Sequence, residues 1–236
     1  MLTSHTAPFT LLPPLDNEPS QLREFRGNSA LRELRIISGI ASHVNPVFAE
    51  GVLWMKLGMV HLTLRPKLVI KDMLCSGWYD RHKGEIAISL EFERDESEYA
   101  STMIHEMGHG IDNGYRLAAL ELLRDDPFRI KYHEWRQSWG RVFVNGGQVT
   151  EYAKTNVLED IAESYKYFAM QPDVLLKQSP LRYQLCIEGL EALVPEFKEL
   201  QLKHEQAEQS LSAEQIARHR FYLWFNKVRV GKSQFY

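Results

Sequence analysis

Along residues 96–113 the apolar positions Ala100, Ile104, Met107 and Ile111 recur at spacings of four, three and four. That is the period of a helix burying one face. Ser97, after the acidic stretch 91–96, is the expected N-cap, and Asn113-Gly114 the expected stop. Just upstream the period changes: Glu85-Ile86-Ala87-Ile88-Ser89-Leu90 alternates, as in a strand with one buried face. Residues 78–80 are expected to pair with it across a turn over 81–84, and residues 61–64 and 68–70 read as shorter strands split by Pro66. A small sheet is therefore predicted directly before the helix.

On either side the pattern is helical. Leu31, Leu34, Ile37 and Val44 form a stripe that ends at Asn45-Pro46, and an apolar run over 47–57 closes at Gly58. Downstream, two runs over 115–138 are separated by Asp125-Asp126-Pro127. Residues 142–150, with Gly146-Gly147, read as a mobile loop, and a helix over 157–169 is expected to stop before Pro172. The remainder is helical to about residue 228, interrupted at Pro180 and Pro195. Residues 1–20 carry four prolines and no period, so they form an arm. The expected organisation is this arm at 1–20 and one domain at 21–236, with the sheet and helix in 21–114 and a helical part in 115–236.

Composition narrows the class. At 236 residues, 44% hydrophobic and 25% charged, the chain suits a globular domain. It has no apolar run of eighteen, and so no expected membrane span, and no basic-then-apolar leader. Two cysteines, Cys75 and Cys186, lack CxxC spacing and point to packing roles in a reducing compartment. The expected location is cytoplasmic, or wherever a non-classical secretion route delivers the chain. A net charge of -3 exerts no pull towards nucleic acid. The segment 218–236, with five Lys/Arg among interleaved aromatics, reads as a terminal amphipathic helix; it and the N-terminal arm are the candidate docking sites for a protein partner.

The chemistry sits on the periodic helix, in His105-Glu106-Met107-Gly108-His109. Two imidazoles four positions apart lie roughly 40° apart around a helix. With Glu106 beside them, that helix can supply two zinc ligands and the general base. The pattern HExxHxxGxxH is excluded, because Asp112 and Tyr115 occupy its later positions. Asp112 shares the face of His105, but three ligands on one straight helix rarely converge on a tetrahedral centre. It is expected beside the site, orienting an imidazole or a loop. Glu159 and Glu163, four apart on the predicted helix over 157–169, are better placed, one to bind zinc and the other to fix an imidazole. Asn156 with Glu159 also fits a helix capping box, the competing explanation for that carboxylate. The remaining histidines have no mutual ligand spacing, and Gly146-Gly147 lacks the context of a phosphate loop.

Together, His105-Glu-Met-Gly-His109-Gly-Ile-Asp112 and Tyr152-x-x-Thr155-Asn156-x-x-Glu159-Asp-x-Ala162-Glu163 resemble the glutamate-liganded zincins, or gluzincins, of the clan that includes anthrax lethal factor, the Mlc titration factor peptidases and the Pro-Pro endopeptidases. Residues 167–176 look like the segment after the glutamate helix in the titration-factor branch, and the likeness spans roughly 78–190. It implies an α+β zincin-like metallopeptidase, mostly helical, with a small mixed sheet before the HExxH helix. His105, His109 and Glu159 would hold one Zn2+ and Glu106 would be the base. Glu163 would partner a ligand histidine, and Tyr152 would donate its phenol to the oxyanion. The implied activity is endopeptidase hydrolysis of a peptide or protein by zinc-activated water. A regulatory protein on the same scaffold, or an effector cutting one host protein, would share these residues.

Overall fold

In a computed structural model, residues 61–65, 67–82, 85–89, 91, 95–195 and 197, with isolated positions at 202, 206, 209 and 212, are described. The arm at 1–20, the helices expected over 21–60 and the basic aromatic segment at 218–236 lie outside the described residues. The described residues are α+β and mostly helical. Among them five strands come first: β1 (His61–Arg65), β2 (Val69–Ile70), β3 (Met73–Leu74), β4 (Gly77–Asp80) and β5 (Glu85–Ser89). Helices α1 (Glu96–Leu120), α2 (Pro127–Asn145), α3 (Val157–Met170), α4 (Pro172–Gln178) and α5 (Pro180–Leu193) follow, with a 3-10 turn at Tyr152–Lys154.

The sheet is mixed, in the order β1-β5-β4, with β1 parallel and β4 antiparallel to β5. β5 is therefore central, and Ile86, Ala87, Ile88 and Ser89 are all buried, whereas the alternation implied one buried face. Both faces of this strand are buried, so alternation survives only as a size difference between Ile86 and Ile88 on one face and Ala87 and Ser89 on the other. A second hairpin, β2-β3, was not expected. It turns through Lys71 and Asp72 at φ of 49° and 64°, left-handed values that these residues adopt in a tight turn.

Helix α1 buries the predicted stripe, with Ala100, Ile104, Met107 and Ile111 fully inside against Ile86 and Ile88. Its ends differ from expectation. Asp95, not Ser97, is the N-cap, accepting the Glu98 N–H at 2.8 Å. Asn113-Gly114 does not stop it, because the next two turns bury Tyr115 and Ala119. The Asn113 amide is used across the chain instead, donating to the Tyr79 hydroxyl at 3.1 Å and the Arg81 carbonyl at 3.3 Å. Tertiary packing here outweighs the local stop signal.

Helix α2 begins at Pro127 behind the Asp126 cap, as the sequence implied, but continues to Asn145 through residues read as loop. Its buried Tyr132, Trp135 and Trp139 form an aromatic cluster with Tyr115 that favours another turn of helix. The chain then leaves through Gly146 and Gly147 at φ of 82° and 72°, where glycine avoids a steric penalty. Arg182 of α5 closes this end. It forks onto Asp160 of α3 at 2.8–3.1 Å and also donates to the carbonyls of Val142, Gly146 and Gly147. Both charges are buried and multiply bonded, which such a pair requires.

The closest approach of two helices falls inside the motif. A methyl group at Gly108 of α1 would sit 2.7 Å from the Ala162 Cα and 3.1 Å from its carbonyl oxygen on α3. Among the described residues, no helix is long and apolar enough to cross a membrane. Cys75 and Cys186 are both free thiols, the latter buried.

The Gly108 contact predicts opposite outcomes for two chemically identical substitutions. Gly108→Ala forces α1 and α3 apart and should cost about 1–3 kcal/mol in urea unfolding. Gly140→Ala in α2 meets nothing within 4 Å and should gain about 0.5–1 kcal/mol from helix propensity.

Candidate metal centre

The α1–α3 contact sets the distance between the two halves of the motif. His105 and His109 project from α1 with their rings edge to face, 4.9 Å between centroids. On α3, Asn156 caps the helix by accepting the backbone N–H groups of Leu158 and Glu159 at 2.9 and 3.1 Å. The Glu159 side chain does not complete a capping box. Its Oε2 lies 3.1 Å from His105 Nε2 and 3.4 Å from His109 Nε2. That oxygen is buried without a directed hydrogen bond.

These three residues form a group able to hold a metal ion, with donor atoms all within 4.8 Å of one another. The spacing suits that use, since tetrahedral donors about 2.0–2.1 Å from a centre are about 3.3 Å apart. A buried carboxylate oxygen facing two imidazole nitrogens is satisfied by a proton on one of them or by a cation between them.

Glu163 takes the other nitrogen of His105, with Oε1 at 2.9 Å from Nδ1. The carboxylate favours a proton on Nδ1 and so turns the Nε2 lone pair towards Glu159. Glu163 is itself held. Lys166, one turn further along α3, donates to both of its oxygens at 2.6 and 2.7 Å, and the Thr150 hydroxyl donates at 2.8 Å. Thr150 also accepts the Ala153 N–H at 3.1 Å, which fastens the turn carrying Tyr152 to the same carboxylate. The sequence reading missed both residues. The i,i+3 spacing of Glu163 and Lys166 was a signal for one, whereas nothing local marks Thr150.

Glu106 is buried at the other side of the imidazoles, against strand β4. A methyl at Gly77 would come within 2.7 Å of Glu106 Oε1, and the Tyr79 backbone N–H donates to the carboxylate. The Ser76 carbonyl accepts the Ser89 N–H at 2.9 Å, so Gly77 and Tyr79, one and three residues on, direct their backbone groups to the outer edge of β4, which no other described strand pairs. Tyr152 is half exposed, its ring 5.7 Å from that of His105. Asp112 lies apart from this constellation. It pairs with Arg136 of α2 at 3.2 Å, linking α1 to α2, and makes no observed hydrogen bond to an imidazole. Of the two acids expected beside an imidazole or a loop, Glu163 is the one bonded to an imidazole nitrogen, whereas Asp112 faces α2.

The electrostatics follow from this packing. Burial lowers the pKa of His105, but the carboxylates of Glu159 and Glu163 outweigh it and raise the net value to about 9. Burial pushes Glu159 and Glu163 up, and the imidazoles, with Lys166 at Glu163, reverse this and hold both below the usual carboxylate range. Glu106 is raised, chiefly by burial, against the opposing pull of the two histidines. The Tyr152 phenol is pushed up to about 12 by burial and by Glu159 and Glu106, so it keeps its proton at neutral pH.

Comparisons with known proteins add nothing to this site: no family model matches the chain, and no curated protein or solved structure matches it significantly. The likeness to the gluzincins rests on the residues themselves.

The His105 shift gives metal binding a defined pH dependence. Between its ordinary pKa of 6.5 and about 9 the ring carries a proton that a cation must displace. Zn2+ affinity should therefore rise with pH up to about 9 and level off, with close to one proton released per metal at pH 7.5 when calorimetry is run in two buffers. Chelator-treated protein should show the reverse on the alkaline side. Its raised His105 pKa stabilises the fold fully below 6.5 and loses that contribution as pH climbs through about 9. The depressed carboxylates contribute above 4.5 and fade as pH falls.

Proposed function

We propose that the chain is a zinc-dependent endopeptidase of the gluzincin type, on a zincin-like scaffold. The observation that carries this reading is the meeting of Glu159 Oε2 with both histidine Nε2 atoms beside a buried Glu106. Two neutral imidazoles and one carboxylate leave a coordination position open, the pattern of catalytic rather than structural zinc. A bound zinc ion supplies Lewis acidity, lowering the pKa of a water molecule and polarising a carbonyl oxygen.

The protein's own groups supply the remainder. Glu106, its pKa raised chiefly by burial, is the carboxylate placed to accept a proton from the attacking water and return it to the departing amine. Tyr152, protonated below about 12, would donate its hydroxyl to the carbonyl oxygen as negative charge develops there. The outer edge of β4, unpaired among the described residues, offers the backbone groups of Gly77 and the Tyr79 carbonyl for pairing with an extended peptide, which favours a protein or peptide substrate over a small molecule.

Zinc-loaded protein should cleave an unstructured protein such as casein, with activity abolished by chelation and restored by zinc. Glu106→Gln should keep stoichiometric zinc and lower kcat by roughly 10²–10⁴. Zinc retention with unchanged cleavage in this variant would overturn the mechanism. Tyr152→Phe should lower kcat about 10²–10³ with little change in KM, the signature of a donor used only in the transition state.

A further inference from the structure

Next to the centre is a groove of about 520 Å³, lined by residues from the first turns of α1, the last turns of α3 and Ser76 before β4. Two contacts join it to the chemistry. Thr102 lines it and also packs at Gly77, where an added methyl would meet both Thr102 Cγ2 and Glu106 Oε1 at 2.7 Å. Lys166 lines it and bonds Glu163, which bonds His105. The inner end of the groove is thus one contact away from the proposed base, through Thr102, and one contact away from the support of a proposed ligand, through Lys166.

Resting on the peptidase reading, we propose that this groove receives the side chain immediately C-terminal to the scissile bond, and that it selects an uncharged hydrogen-bonding residue (Asn, Gln, Ser or Thr). Direction comes from strand pairing. A peptide joining the outer edge of β4 in the more stable antiparallel sense runs opposite to Gly77–Asp80, so its C-terminal half points towards Ser76 and the groove. Selectivity comes from the lining. Ser76, Ser97, Ser101 and Gln171 provide hydroxyl and amide groups that both donate and accept, and with Tyr167 and Met170 as the apolar part of the wall the lining is mainly polar. The one cation, Lys166, is already held by both oxygens of Glu163, and Glu98 lies at the exposed rim. An acidic side chain therefore finds no uncommitted cation and approaches Glu98, while a basic one is brought beside Lys166. A large aliphatic side chain would take these polar groups out of water without replacing their hydrogen bonds.

The test is cleavage of a peptide library, randomised around one fixed site, by the zinc-loaded full chain, with products sequenced. The expected result is about a tenfold preference for Asn, Gln, Ser and Thr over Leu and Phe just after the cleaved bond, a ratio typical of one pocket contact. Ser101→Leu and Gln171→Leu, separately and together, should erase that preference and leave those at other positions unchanged. Both sites are at least partly exposed, and circular dichroism with zinc stoichiometry checks that the fold is intact. A wild-type preference for large apolar or charged residues at this position, or variants with an unchanged profile, would overturn the subsite assignment while leaving the peptidase reading standing. Absence of cleavage of every library member would overturn both.

Discussion

The centre depends on how closely α1 and α3 approach at Gly108 and Ala162. With hydrogen in place of a side chain, Gly108 lets the two helices meet almost backbone to backbone, and that contact sets how far Glu159 and Glu163 stand from the histidine pair. One residue before Gly108 on α1, Met107 packs into the core; one residue after it, His109 faces Glu159. Packing and chemistry are thus interleaved within five residues, and a change in one is transmitted to the other over the length of a single helical turn.

Around that crossing further contacts hold several of the groups beside His105, His109 and Glu159. Glu163 is held by Lys166 and Thr150, and Thr150 fastens the turn that carries Tyr152. Behind Glu159, the adjacent Asp160 is locked into Arg182, which also gathers carbonyls from the end of α2. Asn113 pins α1 to the β4-β5 hairpin and so holds the outer edge of β4 beside Glu106. Buried polar contacts of this kind contribute modest net stability, but each is costly to break. Their consequence is positional precision for groups whose use depends on tenths of an ångström.

The charges at the centre also depend on one another. Two carboxylates converging on His105 raise its pKa strongly, which means that a proton and a cation compete for the same position. Burial raises Glu106 and Tyr152 in the same region, one towards the range of a useful base and the other into that of a dependable hydrogen-bond donor. No single residue carries this arrangement. It arises because low-polarity packing and neighbouring charges of both signs act on several groups at once.

Much of this was legible along the chain because it is periodic or local. The buried stripe of α1 repeats at helical spacing, the two histidines of HExxH share another, partly exposed face of it, and Glu159 and Glu163 share a face because four residues nearly complete a turn. The strands beside α1 could be read for the same reason. What the chain order could not reveal was anything requiring distant residues to meet. Asn113-Gly114 looked like a stop but lies inside a helix held by Tyr79, residues 142–145 looked like loop but extend α2, and Asp112 turned to Arg136 instead of an imidazole. Thr150 and the backbone of Gly77 and Tyr79 carry no local signature of their roles, which exist only where α3 and β4 close on α1. Local sequence sets the identity and spacing of the donors along each helix. The distance between helices is a property of side-chain volumes at their crossing, and it comes into being only when the chain packs.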